Sequence, residues 1–210
     1  MKTIIPPKKR LLDMKTGLVN LWFDQERSIA PDGKYKMMGS MFFPSRVSKD
    51  GVTRNAGYAM MTGIHIESKV MYIFEETEWF FVNHILEESG QAIKHEGLVT
   101  WYARVWADYY CSTYAVRQDD DTQFRYRLDF NRCAMIQPKP TFLDASWDDS
   151  NQPLYIIYAA NQLGRMKYRA DGILYPELEE RQAAEDPSKN DYIAVHALMC
   201  ASMILDRFYH

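Results

Sequence analysis

Apolar residues recur along this chain with two different periods, and the points where the period changes divide it into elements. Phe124, Tyr126, Leu128 and Phe130 alternate with Arg125, Arg127, Asp129 and Asn131. Successive side chains of a strand point to opposite faces, so 124–130 is predicted as a strand with one buried and one wet face. Residues 35–43, 58–66 and 70–74 are rich in Met, Phe, Tyr and Ile and predict three further strands. Turn signals bound them: Ala30-Pro31-Asp32-Gly33 before the first, and Ser48-Lys49-Asp50-Gly51 between the first two.

Beyond residue 75 the period changes. Trp79, Val82, Leu86 and Ile93 recur at helical steps behind Glu75, Glu76 and Glu78, where the positive end of a helix favours acids. Residues 76–94 are therefore predicted as a helix, ended near Gly97. Residues 98–116 satisfy both periods and are assigned to helix. Residues 138–153 read as a polar loop, 154–160 as a buried strand or the start of a helix, and 176–185 as a short charged helix. Asn190 can cap a final helix whose buried stripe is Ile193, Ala197, Ala201, Ile204 or Leu205, and Phe208. Val195, Met199 and Met203 make that helix apolar on most sides, which predicts a central position or a partner against it.

The opening residues Ile5, Pro6, Pro7, Lys8, Lys9 and Arg10 include two prolines that cannot donate to a ladder. Residues 1–16 are read as an extended, partner-binding arm rather than part of a sheet, followed by an apolar anchor from Leu18 to Phe23. The predicted fold is α+β: one domain over 17–210, its antiparallel sheet drawn from the first half and 124–130. That sheet packs against two or three helices, among them 76–94 and 191–208.

Composition narrows the class. With 210 residues, 47% hydrophobic and 25% charged, the chain can fill one core. Its apolar runs are too short to span a bilayer of about 30 Å, so no membrane is expected. Charge follows the first short apolar step, the reverse of a secretory signal. Cys111, Cys133 and Cys200 are odd in number and widely spaced, which encodes neither a disulfide framework nor a Cys-x-x-Cys metal site and fits a reducing compartment. A net charge of −3 excludes a general polyanion binder. Fourteen Tyr, five Trp and twelve Met supply adaptable contact surfaces of the kind found in interfaces as well as cores.

Linear motifs for phosphate loops, dinucleotide turns, nucleophile elbows and His-Glu-x-x-His zinc sites are absent. His84 and Glu88 stand four apart, with His65 or His95 as a third ligand, but such a pair is more often solvated or capping, and no metal or other cofactor is assigned. Cys111 is read as a small buried hydrophobe, and Asp119, Asp120 and Asp121 as a solvated turn. Arg125, Arg127 and Arg132, with the basic arm, are candidate phosphate contacts. Alternating Arg on a strand more often makes cross-strand charge pairs, so nucleic acid is carried as an alternative.

The opening Ile5-Pro-Pro-Lys-Lys-Arg-Leu-Leu-Asp13, with Thr16-Gly17-Leu18 and Trp22-Phe23, resembles the start of some tailed-bacteriophage virion proteins: a Pro-rich anchor, a Gly turn and a Trp-Phe helix. Tyr192-Ile193, Ala197 and Asp206-Arg207-Phe208 are similar to the late helix of phage head-to-tail adaptor and tail-tube proteins. The resemblance implies a non-catalytic structural subunit, a homo-oligomer bound to neighbouring virion proteins and assembled into a virion in the host cytoplasm. A rival likeness lies in Ala170-Asp-Gly-Ile-Leu-Tyr-Pro176, which is similar to the Gly-Ile-x-Tyr-Pro strand of NAD-consuming ADP-ribosyltransferase-like toxins. The segment itself reads as a turn between a strand and a helix starting at Pro176.

Overall fold

The computed structural model describes residues 1–49, 52–80, 98–117, 131–132, 136–146, 152–184 and 192–209. Eight strands form one mixed, mostly antiparallel sheet with four helices among these residues. The strands are β1 (Lys9–Leu12), β2 (Val19–Trp22), β3 (Gly33–Lys49), β4 (Val52–His65), β5 (Met71–Phe80), β6 (Thr113–Arg117), β7 (Thr141–Ala145) and β8 (Met166–Lys167). The helices are α1 (Leu98–Tyr109), α2 (Gln152–Gln162), α3 (Leu174–Ala183) and α4 (Ile193–Tyr209). The α+β class and the single sheet expected from the sequence are what the chain forms.

β1 to β5 pair antiparallel with their sequence neighbours, as hairpin-connected strands do. β8 adds parallel to β5, and the β6–β7 parallel pair adds to β3. Alternation on the central strands splits the core in two. Met38, Tyr58 and Met60 face α2, α3 and α4, whereas Met37, Ala59 and Met61 face α1 and the N-terminal segment. α4 is the centre of the first layer: Ala194, Val195, Ala197, Leu198, Cys200 and Ala201 are buried, as its apolar circumference predicts.

Four expectations are corrected. The helix read over 76–94 does not begin there, because Glu76 to Phe80 continue β5 against β4, Ala56 facing Phe80; residues 81–94 lie outside the described residues. The arm is not outside the sheet, since Lys9–Leu12 form its edge strand and Lys8 N–H donates to the Trp22 carbonyl at 2.8 Å. Its prolines precede the strand and so do not interrupt the ladder. The helix assigned to 98–116 stops at Tyr109, where Tyr110 takes φ 53° and the chain turns into β6. The loop read over 138–153 contains β7, a five-residue strand that pairing with β6 reveals. The strand predicted over 124–130 and the cap at Asn190 lie outside the described residues. Residues 154–160 fall within α2, and 176–183 within α3, which starts two residues before Pro176; residue 185 lies outside the described residues.

Candidate functional site

The sheet carries its polar chemistry on β5. Opposite the β4 step from Met61 to Thr62, β5 goes from Glu75 to Ile73, so Phe74 is an extra residue. A bulge of this kind breaks the alternation of faces. Phe74 and Glu75 then share the α1 face, and Glu76 falls to the other.

Glu75, 5% exposed, pairs with Arg104 of α1 at 3.0 Å and with Arg169, after β8, at 3.4 Å. Tyr109 Oη donates to it at 3.4 Å. Burial, with this carboxylate beside it, pushes the Tyr109 hydroxyl well above its ordinary range and keeps it neutral. Arg169 also donates to the Phe74 carbonyl at 2.9 Å and grips Asp171 with two bonds of 3.0 and 2.9 Å. The guanidinium thus ties the last turn before α3 to the bulge.

Glu76 accepts on one oxygen from Tyr58 Oη at 2.9 Å and from the backbone N–H groups of Ile173 and Leu174 at 2.8 and 2.9 Å. It caps α3 from a strand nearly a hundred residues earlier. α3 repeats the device: Glu177 Oε2 accepts from Ala194 N–H at 2.9 Å, at the start of α4. Free N–H groups at both helix starts are satisfied by carboxylates, the arrangement the helix dipole favours. These acids are structural ties.

Two hollows open beside this frame. One, of about 330 Å³, lies over Arg169, Gly172 and Tyr175 near the α3 start. The other, of about 400 Å³, is a slot where β2 and β6 share one edge of β3; it is lined by Val19, Lys36, Met37, Trp106, Tyr110 and Thr141 among others.

The residues singled out from sequence are dispersed. Of the arm, Ile5 and Pro7 are half-buried while Pro6 and Lys8 are exposed. Lys9 stacks over Trp22 at 4.9 Å and Arg10 over Tyr110 at 5.3 Å, both within the chain. Trp22 ends a strand, in place of the helix the phage likeness implies. Arg132 is exposed, and Arg125 and Arg127 lie outside the described residues. His84, Glu88 and His95 also lie outside them; His65 is buried, its Nδ1 2.9 Å from Ser68 Oγ. No group of three or more potential metal ligands occurs among the described residues. Cys111 is buried, its thiol pushed up to about 12 by burial, so it is a poor nucleophile at neutral pH. Residues 170–173 form the turn read from sequence, and Asp171 binds Arg169 within it. No helix among the described residues is long and apolar enough to cross a membrane.

Sequence reasoning missed the slot and the two carboxylate caps. Glu75 and Glu76 read from sequence as acids at the start of a helix over 76–94; Glu76 instead caps α3, remote in sequence, and Glu75 pairs with Arg104 and Arg169. Compared with protein-family models, curated proteins and solved structures, the chain matches none.

Proposed function

We propose that this chain is a non-catalytic structural subunit of a virus particle of the tailed-phage type, working by self-association and by binding neighbouring virion proteins. The observation that carries the reading is the far end of the β3–β4 hairpin. β5 accompanies β4 only as far as Ala56, and β6 accompanies β3 only at Gly39 and Ser40. Beyond that, Arg46 to Lys49 pair with Val52 to Asn55 and with no other strand among the described residues. A two-stranded ribbon is marginal in water, and backbone edges that no strand covers are templates for another chain. A neighbouring copy that adds to this ribbon would stabilise it by strand addition.

Two surface features support the same reading. α2 buries Leu154 and Ile157 yet turns Tyr155 and Ala159 outward, and Leu163 continues that row; Tyr155 and Leu163 are each 69% exposed. A helix apolar on both sides is built to be covered on both. Leu11 and Met14, at the β1 edge, are also exposed.

The test is solution mass by light scattering across a concentration series, for the full chain and for a variant with residues 46–55 replaced by a two-residue Asn-Gly turn. The expected result is a closed oligomer for the full chain and a folded monomer, with unchanged far-UV dichroism, for the variant. A full chain that stays monomeric at every concentration, or assembly that survives loss of the ribbon, would sink the proposal.

A further inference from the structure

On the α1 side of the sheet, the slot between β2 and β6 ends at a cation that has no anion. Arg10 and Leu12 share one face of β1, about 7 Å apart at two residues' rise, and Leu12 lines the slot. The Arg10 guanidinium lies 5.3 Å from the ring centre of Tyr110, which lines it too. Arg10 therefore stands at the rim. It is half-buried, its Nε is enclosed without an acceptor, and it makes no ion pair among the described residues. A guanidinium so placed lacks the charge-assisted bonds that normally accompany burial.

Tyr110 is held beneath it at a conformational cost. It is the residue after the last of α1, its N–H donates to the Trp106 carbonyl at 2.9 Å, and its φ of 53° is left-handed. Glycine is the usual occupant of that position, because a bulky side chain there is strained. The ring kept despite the strain forms one wall of the slot, edge-on to Trp106 at 5.7 Å and 79°. Strain retained at a cavity wall points to a use for that wall.

The rest of the α1-side wall is apolar: Leu12, Val19 and Met37 belong to that core layer, together with Cys111. Cys111 is a neutral thiol, and no acid lines the slot among the described residues, so nothing within it opposes an anion. Lys36, next to Met37 on β3, and Leu143 face the other layer, and Lys36 has an interaction of its own. A cavity of about 400 Å³ with apolar walls and a charged group at its rim has the size and character of a small-ligand site.

We infer that the α1 side of this slot binds a small apolar carboxylate, the chemistry shared by a free apolar acid and the C-terminal residue of a peptide. The apolar body packs against Leu12, Val19 and Trp106, and the carboxylate accepts from the outer N–H groups of Arg10 above the Tyr110 ring. All of these residues lie on one face of the sheet.

Calorimetric titration of the full chain with 3-phenylpropionate and with its isosteric amide, 3-phenylpropionamide, tests this. One molar equivalent of the acid is expected to bind, with the amide at least tenfold weaker, because only the acid pairs with the guanidinium. Arg10→Met should erase that preference while far-UV dichroism stays unchanged, and Arg10→Lys should keep part of it. Tyr110→Gly gives the left-handed position its favoured residue and removes the platform, so the acid should bind at least tenfold more weakly with dichroism unchanged; Trp106→Ala serves if that variant misfolds. An acetylated pentapeptide ending in Phe separates the two sources: tighter binding than 3-phenylpropionate points to a chain terminus, equal or weaker binding to a free acid. No binding at millimolar acid, equal binding of acid and amide, a preference that survives Arg10→Met, or an affinity unmoved by the wall variants would overturn the assignment.

Discussion

Glu76 concentrates several structural roles in one side chain. One of its oxygens accepts three hydrogen bonds, and Gly172 lies so close that a Cβ there would run into the other. Glu76→Gln keeps an acceptor in place and is expected to cost about 1 kcal/mol, whereas Glu76→Ala orphans two helix N–H groups and a buried tyrosine and should cost about 3 kcal/mol. Gly172→Ala should cost about 2 kcal/mol by displacing the carboxylate, and under about 0.5 kcal/mol once Glu76 is alanine, because the two share one contact. Urea unfolding of the four proteins reads the cycle; additive losses would refute the shared contact. His196 is the second residue-scale case. Its Nδ1 is buried without a partner, and burial lowers its pKa to about 4, with Arg181 and Arg117 adding to the effect. Its folded pKa lies below its unfolded value, so the unfolded chain binds the extra proton. His196 therefore contributes stability that is present above about pH 6.5 and is lost as pH falls toward 4. His196→Gln should flatten the stability profile across that window, measured by urea midpoints at half-unit steps.

At the scale of elements, the N-terminal segment matters more than its sequence suggests. Thr3 bridges to Ser28, Ile4 is 5% exposed in the α1-side core, and β1 covers the edge of β2. Removing residues 1–12 is accordingly expected to destabilise the fold rather than leave it intact. Ile4→Ala alone should cost about 2–4 kcal/mol, roughly 5–15 °C in midpoint for a chain of this size. Scanning calorimetry decides between this segment as part of the sheet and as a detachable arm, which would leave the midpoint unmoved. The period of apolar residues announced β3, β4, β5 and α4. It misled at Glu76 to Phe80, where Trp79 sits at a helical step from later residues but pairs, within β5, with Gly57. Sheet pairing outranks local periodicity when a long neighbour strand is already in place.

The described residues of the molecule form one sheet with a layer on each face. Met37 and Met38, or Met60 and Met61, send adjacent side chains into opposite layers, so neither layer can be lost without uncovering the strands that hold the other. Unfolding should therefore be a single transition. Trp101 lies in one layer and Cys200 in the other, both fully buried. In a Cys111→Ala, Cys133→Ser background, tryptophan fluorescence and the reactivity of the remaining thiol should change at the same urea concentration; separated transitions would mean two independent units.

Hydrophobic spacing and turn residues by themselves determined the α+β class, the central hairpin strands and an all-round apolar last helix, because those depend on neighbours within a few residues. What only the tertiary structure decided depends on distant segments meeting: the bulge at Phe74, the carboxylate of Glu76 at the start of a helix 98 residues on, and the slot left where β2 and β6 divide one edge of β3. A strand's second neighbour and a helix's borrowed cap leave no period in the chain, since each is fixed by packing and by the demand that buried backbone groups find partners.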